Sequence, residues 1–151
     1  MAQKKYSIPC NGAAAAAPLP IGYLGCTSAQ RGRISDILVG PAPVAPVDQA
    51  VQVTVKRTTA APTGGSAVTP APFDANEVAA VCTGRSADTT DATLSTVLLQ
   101  FGLNVRASFR WVAAPDYELV GTAGAATGLE LAKTAESAAN QQEYGTIMFF
   151  E

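Results

Sequence analysis

The side chains that most often perform acid–base catalysis at neutral pH are scarce in this sequence. The chain of 151 residues contains no His, so a nucleophilic Ser or Cys would lack its usual base. Asp116 and Glu118 are two residues apart and would share one face of a strand, which is compatible with a carboxylate pair. Such pairs on edge strands are mostly solvated charges. We therefore predict a protein that is not an enzyme and has no catalytic residues.

Two other patterns could in principle bind a ligand. Asp88 and Asp91 form an acidic cluster, but they lack the spacing of a calcium-binding loop, and a solvated loop is the preferred interpretation. Gly64-Gly65 lies between two extended segments and lacks the following Lys of a phosphate-binding loop. A turn that requires a positive φ explains these glycines better. The sequence therefore predicts no metal ion and no cofactor.

Three cysteines, Cys10, Cys26 and Cys82, are an odd number and lack the spacing of metal ligands. We interpret them as free thiols of a protein made in a reducing cytoplasm, with a Cys10–Cys26 bridge as the alternative. No apolar run approaches the roughly 18 residues that span a bilayer. The sequence therefore favours an intracellular protein without a membrane partner.

The composition favours thin β-structure in a single domain. Hydrophobic residues make up 48% of the chain, but 29 residues are Ala, and small side chains bury little area each. Charged residues account for 15%, against about 25% in a typical domain. The net charge of −2 is too close to zero to indicate nucleic acid or a membrane as a partner. A thin core between two sheets accounts for these values.

The clearest structural pattern begins at Val51. Val51, Val53 and Val55 alternate with polar residues, which predicts a strand with one apolar and one polar face. A loop rich in Thr, Pro and Gly follows, and residues 67–69 then form a short extended return. This stretch predicts a strand, a wide turn and a second strand.

Short extended runs recur along most of the chain. Residues 73–83 differ, because Asp74 is followed three residues later by Glu77, as in a capped helical turn. Residues 132–142 fit either a short helix or a polar loop. Further strands are predicted at residues 33–39, 93–101, 107–112, 117–120, 129–131 and 144–150. The total of eight or nine short strands predicts an all-β fold, a β-sandwich with jelly-roll connections as one option.

Phe109 and Trp111 fall on one face of the strand predicted at residues 107–112. We expect them to be core aromatic residues and to supply the largest aromatic burial in the chain. The last run, residues 144–150, is expected to pair inside a sheet, because a free apolar strand at a chain end would aggregate.

Residues 1–32 mix Gly, Pro and Ala with single apolar residues and show no sustained periodicity. We predict that they form an extended N-terminal arm, followed by a β-sandwich domain at residues 33–151. Residues 1–33 hold four cations and no acid, giving +4, whereas residues 34–151 hold six bases and twelve acids, giving −6. The arm either covers its own domain or docks on a neighbour. The residues expected to dock are Lys4, Lys5, Tyr6, Ile8, Leu19, Ile21, Tyr23, Leu24, Arg31 and Arg33.

Two segments resemble parts of a known class of protein. RTTAAPTGGSAVTPAPFD (residues 57–74) and FRWVAAPDYELV (residues 109–120) are similar to segments of small β-rich virion structural proteins of tailed bacteriophages. The resemblance covers residues 47–150. It implies a capsid decoration, or cement, protein that binds the major capsid protein on the outer surface of the head as a homotrimer. The arm would then dock on the shell and leave the acidic body toward solvent.

Two further interpretations stay open at this point. In a carbohydrate-binding sandwich of a fibre or lectin, Trp111 or Tyr117 would be an exposed platform on which a sugar ring stacks. The second interpretation is a head-completion or tail component of the virion.

Overall fold

The computed structural model describes residues 3–13, 19–42, 48–104, 106–133 and 142–151. These residues form twelve β-strands, and none of them belongs to a helix that is long and apolar enough to cross a membrane. In chain order the strands are β1 Lys5–Asn11, β2 Leu19–Gly25, β3 Arg33–Pro41, β4 Ala50–Thr58, β5 Ser66–Val68, β6 Ala71–Pro72, β7 Thr83–Ser86, β8 Leu94–Asn104, β9 Phe109–Val112, β10 Leu119–Val120, β11 Gly128–Lys133 and β12 Glu143–Phe150.

The strands form two antiparallel sheets that pack as a sandwich. Sheet A has the order β6–β1–β12–β3. β9 and β10 both pair with β3 along the edge opposite β12, each with a different part of the strand. Sheet B has the order β5–β7–β2–β11–β4–β8. The predicted all-β sandwich is confirmed, with twelve strands in the described residues in place of eight or nine. The last strand, β12, lies between β1 and β3, as expected for residues 144–150.

Side chains that face inward from both sheets form the core. In sheet A, Ile8, Ile147 and Ile37 lie side by side across β1, β12 and β3, and all three are fully buried. In sheet B, Leu131 of β11 lies beside Val55 of β4, and both are fully buried. Each such pair removes two branched side chains from water, so the apolar rows hold the two sheets together.

The predicted valine strand is confirmed in β4. Val51, Val53 and Val55 are buried, whereas Gln52 is exposed. The short return at residues 67–69 is present as β5, but three strands of sheet B separate it from β4. The two strands therefore do not pair with each other, because β5 pairs with β7.

Two turns were predicted from sequence, with different outcomes. Gly64 has a φ of +89°, a region that favours Gly, so the turn at this position is confirmed. The helical turn predicted within residues 73–83 is wrong. The carbonyl of Asp74 accepts the N–H of Glu77 at 3.0 Å, and its carboxylate accepts the N–H of Asn76 at 2.9 Å. These local bonds close a polar turn without continuing into a helix.

The prediction that residues 1–32 form a separate arm is wrong for their described parts, residues 3–13 and 19–32. β1 pairs with both β12 and β6 in sheet A, and β2 lies between β7 and β11 in sheet B. The division at residue 32 therefore has no counterpart in the described fold. The six apolar residues assigned to docking are instead buried: Tyr6, Ile8, Leu19, Ile21, Tyr23 and Leu24.

Pro9 is compatible with β1 because of where its missing N–H would point. The N–H of Phe73 donates to the carbonyl of Lys5 at 3.0 Å, so the odd-numbered backbone groups of β1 face β6. The strand β6 pairs only with residues 6–7. Pro9 lies beyond its end, and the sheet loses no hydrogen bond there.

Phe109 and Trp111 lie at the rim of the core. They face inward from the edge strand β9 and are partly buried against the core. Phe109 stacks on Phe101 of β8, with ring centroids 4.0 Å apart, and so closes one side of the sandwich. The expectation that this pair supplies the largest aromatic burial is wrong. The most deeply buried aromatic residues are Tyr6, Tyr23 and Phe149.

A buried ion pair links the two sheets where β11 ends and β12 begins. Lys133 Nζ lies 2.9 Å from Glu143 Oε2, and the two side chains are 0% and 1% exposed. The pair joins the end of a strand in sheet B to the start of a strand in sheet A. Residues 134–141, which include most of the stretch predicted as a helix or loop, lie outside the described residues.

Candidate functional site

The outer face of sheet A is open to solvent. Residues opposite one another in the strand register form rows across the sheet. Three such rows are Val112, Asp36, Met148 and Ser7; Arg110, Leu38, Thr146 and Pro9; and Gly40, Tyr144 and Asn11. We call these residues the open face. Leu38, Val112 and Tyr144 on it are 40%, 57% and 45% exposed, so it presents large apolar groups to water.

Among the described residues, one ion pair lies on the open face. The guanidinium of Arg110 donates to both carboxylate oxygens of Asp36, at 2.6 Å in the shortest of these bonds. The hydrogen bonds and charge of Asp36 raise the pKa of Arg110. A groove of about 150 Å³ on the open face is lined by Leu38, Tyr144 and Ser108 among others. The rest of the face is uncharged, which suits broad contact with another protein.

The four cations predicted to dock gather at one end of sheet A. Lys5 and Arg33 flank Phe150 in one row of the register. Lys5 Nζ lies 5.1 Å from the centre of the Phe73 ring and 5.6 Å from that of Phe150, within the range of a cation–π contact. We call Lys4, Lys5, Arg31 and Arg33 the basic end.

Acidic residues from the rest of the chain neutralise part of the basic end. Lys4 pairs with Glu77 at 3.2 Å, and Arg33 pairs with Glu118 at 3.0 Å. The charge difference between residues 1–33 and 34–151 is therefore not a separation in space. The predicted orientation of a basic arm against an acidic body has no basis in this fold. A cleft of about 750 Å³ opens at the basic end, with Arg31, Arg33, Phe150 and Glu151 in its wall.

The outer face of sheet B differs, because part of it is covered and polar. The register places Arg85, Tyr23, Glu130 and Lys56 side by side across β7, β2, β11 and β4. We call these four residues the covered row. The loop after β7 lies over it, and the N–H of Ala92 donates to Glu130 Oε2 at 2.8 Å. Glu130 and Tyr23 are almost completely buried as a result.

Asp88 and Asp91 belong to this loop, and the prediction of a solvated loop is wrong for Asp88. Its side chain is fully buried, pairs with Arg85 at 2.6 Å and accepts the N–H of Gly65 at 3.0 Å. Burial raises the pKa of Asp91, and burial raises the pKa of Glu130 to about 7. The described residues contain no group of three His, Cys, Asp or Glu side chains that could hold a metal ion. We interpret the cluster as the anchor of the loop.

All three cysteines are free and buried, so the predicted free thiols are confirmed. Cys10 packs against Gly22 and Gly145, with no room for a larger side chain at Gly22. Burial raises the pKa of Cys10 to about 12. The thiol of Cys82, not that of Cys10, is the main cause of the lowered pKa of Cys26, and neither Cys10 nor Cys26 forms a disulfide. The alternative of a Cys10–Cys26 bridge is therefore not found.

The two carboxylates considered as a pair from sequence have different surroundings. Glu118 binds Arg33 at 3.0 Å, whereas Asp116 is exposed in a turn with a φ of +69°. Trp111 faces inward, and Tyr117 is 76% exposed. Sequence reasoning missed the open face and the covered row, because each is assembled from strands that are distant in sequence.

Comparison of the chain with models of protein families, with curated proteins and with solved structures found no match. The structural basis for a functional proposal is therefore the two outer faces of the sandwich, and the resemblance of residues 57–74 and 109–120 stays an expectation from sequence.

Proposed function

We propose that this chain is a non-enzymatic virion structural protein, a decoration or cement protein that binds the major capsid protein on the outer surface of a tailed-phage head as a homotrimer. The open face of sheet A is the observation that carries the proposal. It carries one ion pair and no other charge, and it exposes Leu38, Val112 and Tyr144. The resemblance of residues 57–74 and 109–120 to small virion proteins supports the same class.

A protein of this kind stabilises a head by binding the assembled lattice more tightly than its separate subunits. Docking through the open face would remove exposed apolar area from water at about 25 cal/mol per Å². The basic end borders this face through Lys5 and Phe150, and adds charge that could meet acidic groups of the shell. The buried apolar residues of β1 and β2 cannot take part, because they hold the sandwich together.

The test uses heads purified from a phage that lacks this chain, to which the purified chain is added back. We expect it to cosediment with the heads and to raise their thermal midpoint. Val112→Lys places a charge on the open face and should weaken binding at least tenfold, because an unpaired charge is costly to bury.

Val97→Lys is the matched control, because Val97 is 52% exposed on β8 of sheet B, close to the 57% of Val112. This variant should bind like the unaltered chain. Equal loss in both variants, or no binding of the unaltered chain, would contradict docking through the open face.

The proposed trimer has its own measurement. Light scattering should give three times the chain mass of 15.4 kDa in solution or, failing that, threefold clusters of bound chain on heads seen by electron microscopy. Single, isolated copies on heads would contradict the trimer and leave the docking face intact.

A second candidate is favoured by one observation, the 76% exposure of Tyr117. An exposed aromatic ring can stack on a sugar, as in carbohydrate-binding sandwiches. Trp111 cannot stack on a sugar in this way, because its side chain faces the core from β9. Binding to a glycan array that is lost in Tyr117→Ala, in a protein that does not bind heads, would favour the carbohydrate-binding function.

A further inference from the structure

Cys26 and Cys82 are cross-strand neighbours at the end of the β2–β7 pair. The antiparallel register runs from Gly22 opposite Ser86 to Gly25 opposite Thr83. Cys26 directly follows β2 and Cys82 directly precedes β7, so extending this register by one residue beyond the strands pairs Cys26 with Cys82. Both side chains are buried, at 4% and 1% exposure, and each thiol is the main cause of the shift in the other's pKa.

Backbone hydrogen bonds show which kind of antiparallel pair this is. The N–H of Cys26 donates to the carbonyl of Thr127 at 2.9 Å, and the N–H of Cys82 donates to Glu151 Oε2 at 2.9 Å. Both amides therefore point away from the opposite cysteine. In such non-hydrogen-bonded pairs the Cα atoms are about 4.5 Å apart and the side chains are close. A disulfide spans Cα separations of about 4.4–6.8 Å, a range that includes the separation typical of such a pair.

The surroundings of Cys26 favour its thiolate. The interaction with Cys82 lowers the pKa of Cys26 most, and burial opposes this effect. The N–H of Gly32, 3.4 Å from Cys26 Sγ, and the positive charge of Arg31 lower the pKa further. The resulting pKa is about 7. The pKa of Cys82 is raised, first by its interaction with Cys26 and then by burial. Cys26 is therefore the nucleophile of the pair.

The pair lies close to the cleft at the basic end. Arg31 and Glu151 line the cleft at the basic end. Glu151 also accepts the N–H groups of Val81 and Cys82, so the cysteines lie directly behind the cleft wall. Cys10 lies elsewhere, against Gly22 and Gly145, and has no thiol partner among the described residues.

We propose that Cys26 and Cys82 form an oxidation site that a peroxide converts to an intramolecular disulfide, tying β2 to the loop before β7. The thiolate of Cys26 attacks one oxygen of hydrogen peroxide and becomes a sulfenic acid, while the other oxygen leaves as hydroxide. The thiol of Cys82 then attacks Cys26 Sγ, its proton passes to the departing hydroxide, and water leaves. Two thiols are oxidised, and one peroxide is reduced to two waters.

The test treats the reduced, purified full chain with hydrogen peroxide. Thiol titration in denaturant should fall from three to one, and the intact mass should fall by about 2 Da, the mass of two hydrogens. Chymotryptic peptides, cut between Cys10 and Cys26, should show residue 26 linked to residue 82. The oxidised chain should unfold at a higher temperature than the reduced chain, because the bond restricts the unfolded state, and a thiol reductant should reverse the shift.

Cys10→Ala is the matched control and should still lose about 2 Da, whereas Cys26→Ala and Cys82→Ala should not. If a variant fails to fold, the peptide map of the unaltered chain decides the question. A link through Cys10, a disulfide-bonded dimer, or sulfinic acid on Cys26 without a link to Cys82 would each overturn the proposal.

Discussion

Replacing Lys133 by Met removes one partner of the buried ion pair while keeping a long, unbranched side chain. Because Glu143 is 1% exposed and lies 2.9 Å from Lys133, its carboxylate would be left buried without that cation, at a cost of about 3–5 kcal/mol. The carboxylate can avoid this cost by binding a proton. For a Glu side chain with the reference pKa of about 4.3, protonation at pH 7 costs about 3.7 kcal/mol. We expect Lys133→Met to lower the free energy of unfolding by about 3–4 kcal/mol at pH 7.

The same reasoning predicts that the penalty depends on pH. At pH 5, protonation of a Glu side chain costs only about 1 kcal/mol, so Lys133→Met should be about 2–3 kcal/mol less harmful there. Lys133→Met combined with Glu143→Gln removes both charges of this pair and should lose less stability at pH 7 than the single variant. Lys4→Met is the control, because its ion pair with Glu77 is more than 30% exposed on the Lys side and is worth at most about 1 kcal/mol.

Urea unfolding followed by circular dichroism at pH 5 and pH 7 measures all four proteins. Equal penalties for Lys133→Met at the two pH values would refute the protonation argument. A penalty no larger than that of Lys4→Met would refute the claim that the pair is buried.

Three further predictions concern stability. Glu130→Gln should raise the free energy of unfolding at pH 8. Burial raises the pKa of Glu130 to about 7, so the folded unaltered chain binds this proton more tightly than the unfolded one, and its free energy of unfolding falls by about 3 kcal/mol as the pH rises from about 4.5 to about 7. Urea unfolding at pH 5 and pH 8 should show this fall in the unaltered chain only. Phe149→Ala should lower the free energy of unfolding by about 3–5 kcal/mol. Trp111→Ala should lower it clearly less, because Phe149 is fully buried and Trp111 only partly. Thermal unfolding compares the two variants, and equal losses would contradict the assignment of Trp111 to the rim. Deleting residues 1–30 removes β1 and β2 and should abolish the cooperative unfolding transition; a folded truncated chain would contradict their central place.

The strands that were predicted correctly are those whose sequence pattern does not depend on which other strands they pair with. β4 alternates between apolar and polar residues because one face packs against the core and part of the other face is exposed to solvent. β12 is recognisable as an apolar run, and Arg33–Pro41 ends at the expected Gly-Pro. These signals are local, so a single sequence contains them.

The errors arose where tertiary contacts override local patterns. β2 is buried along its whole length, because sheet A covers one face and the loop after β7 covers part of the other. No alternation can appear in such a strand, and its Gly and Pro residues suggested an arm. Asp88 looks solvated in sequence, yet its pairing with Arg85 allows it to be buried. The open face depends on which strands are adjacent, which periodicity alone does not specify.

The position of β12 between β1 and β3 has a consequence for synthesis. The first strand of the sandwich can find its main partner only after residue 150 has left the ribosome, because β1 pairs with β12 along its whole length. Until then the apolar side chains of β1, β2 and β3 have no complete sheet to bury them, and nascent chains must keep unpaired edges from associating. Pairing between such distant segments closes a long loop and is slow. Folding of this sandwich is therefore expected to be completed only after β12 has left the ribosome.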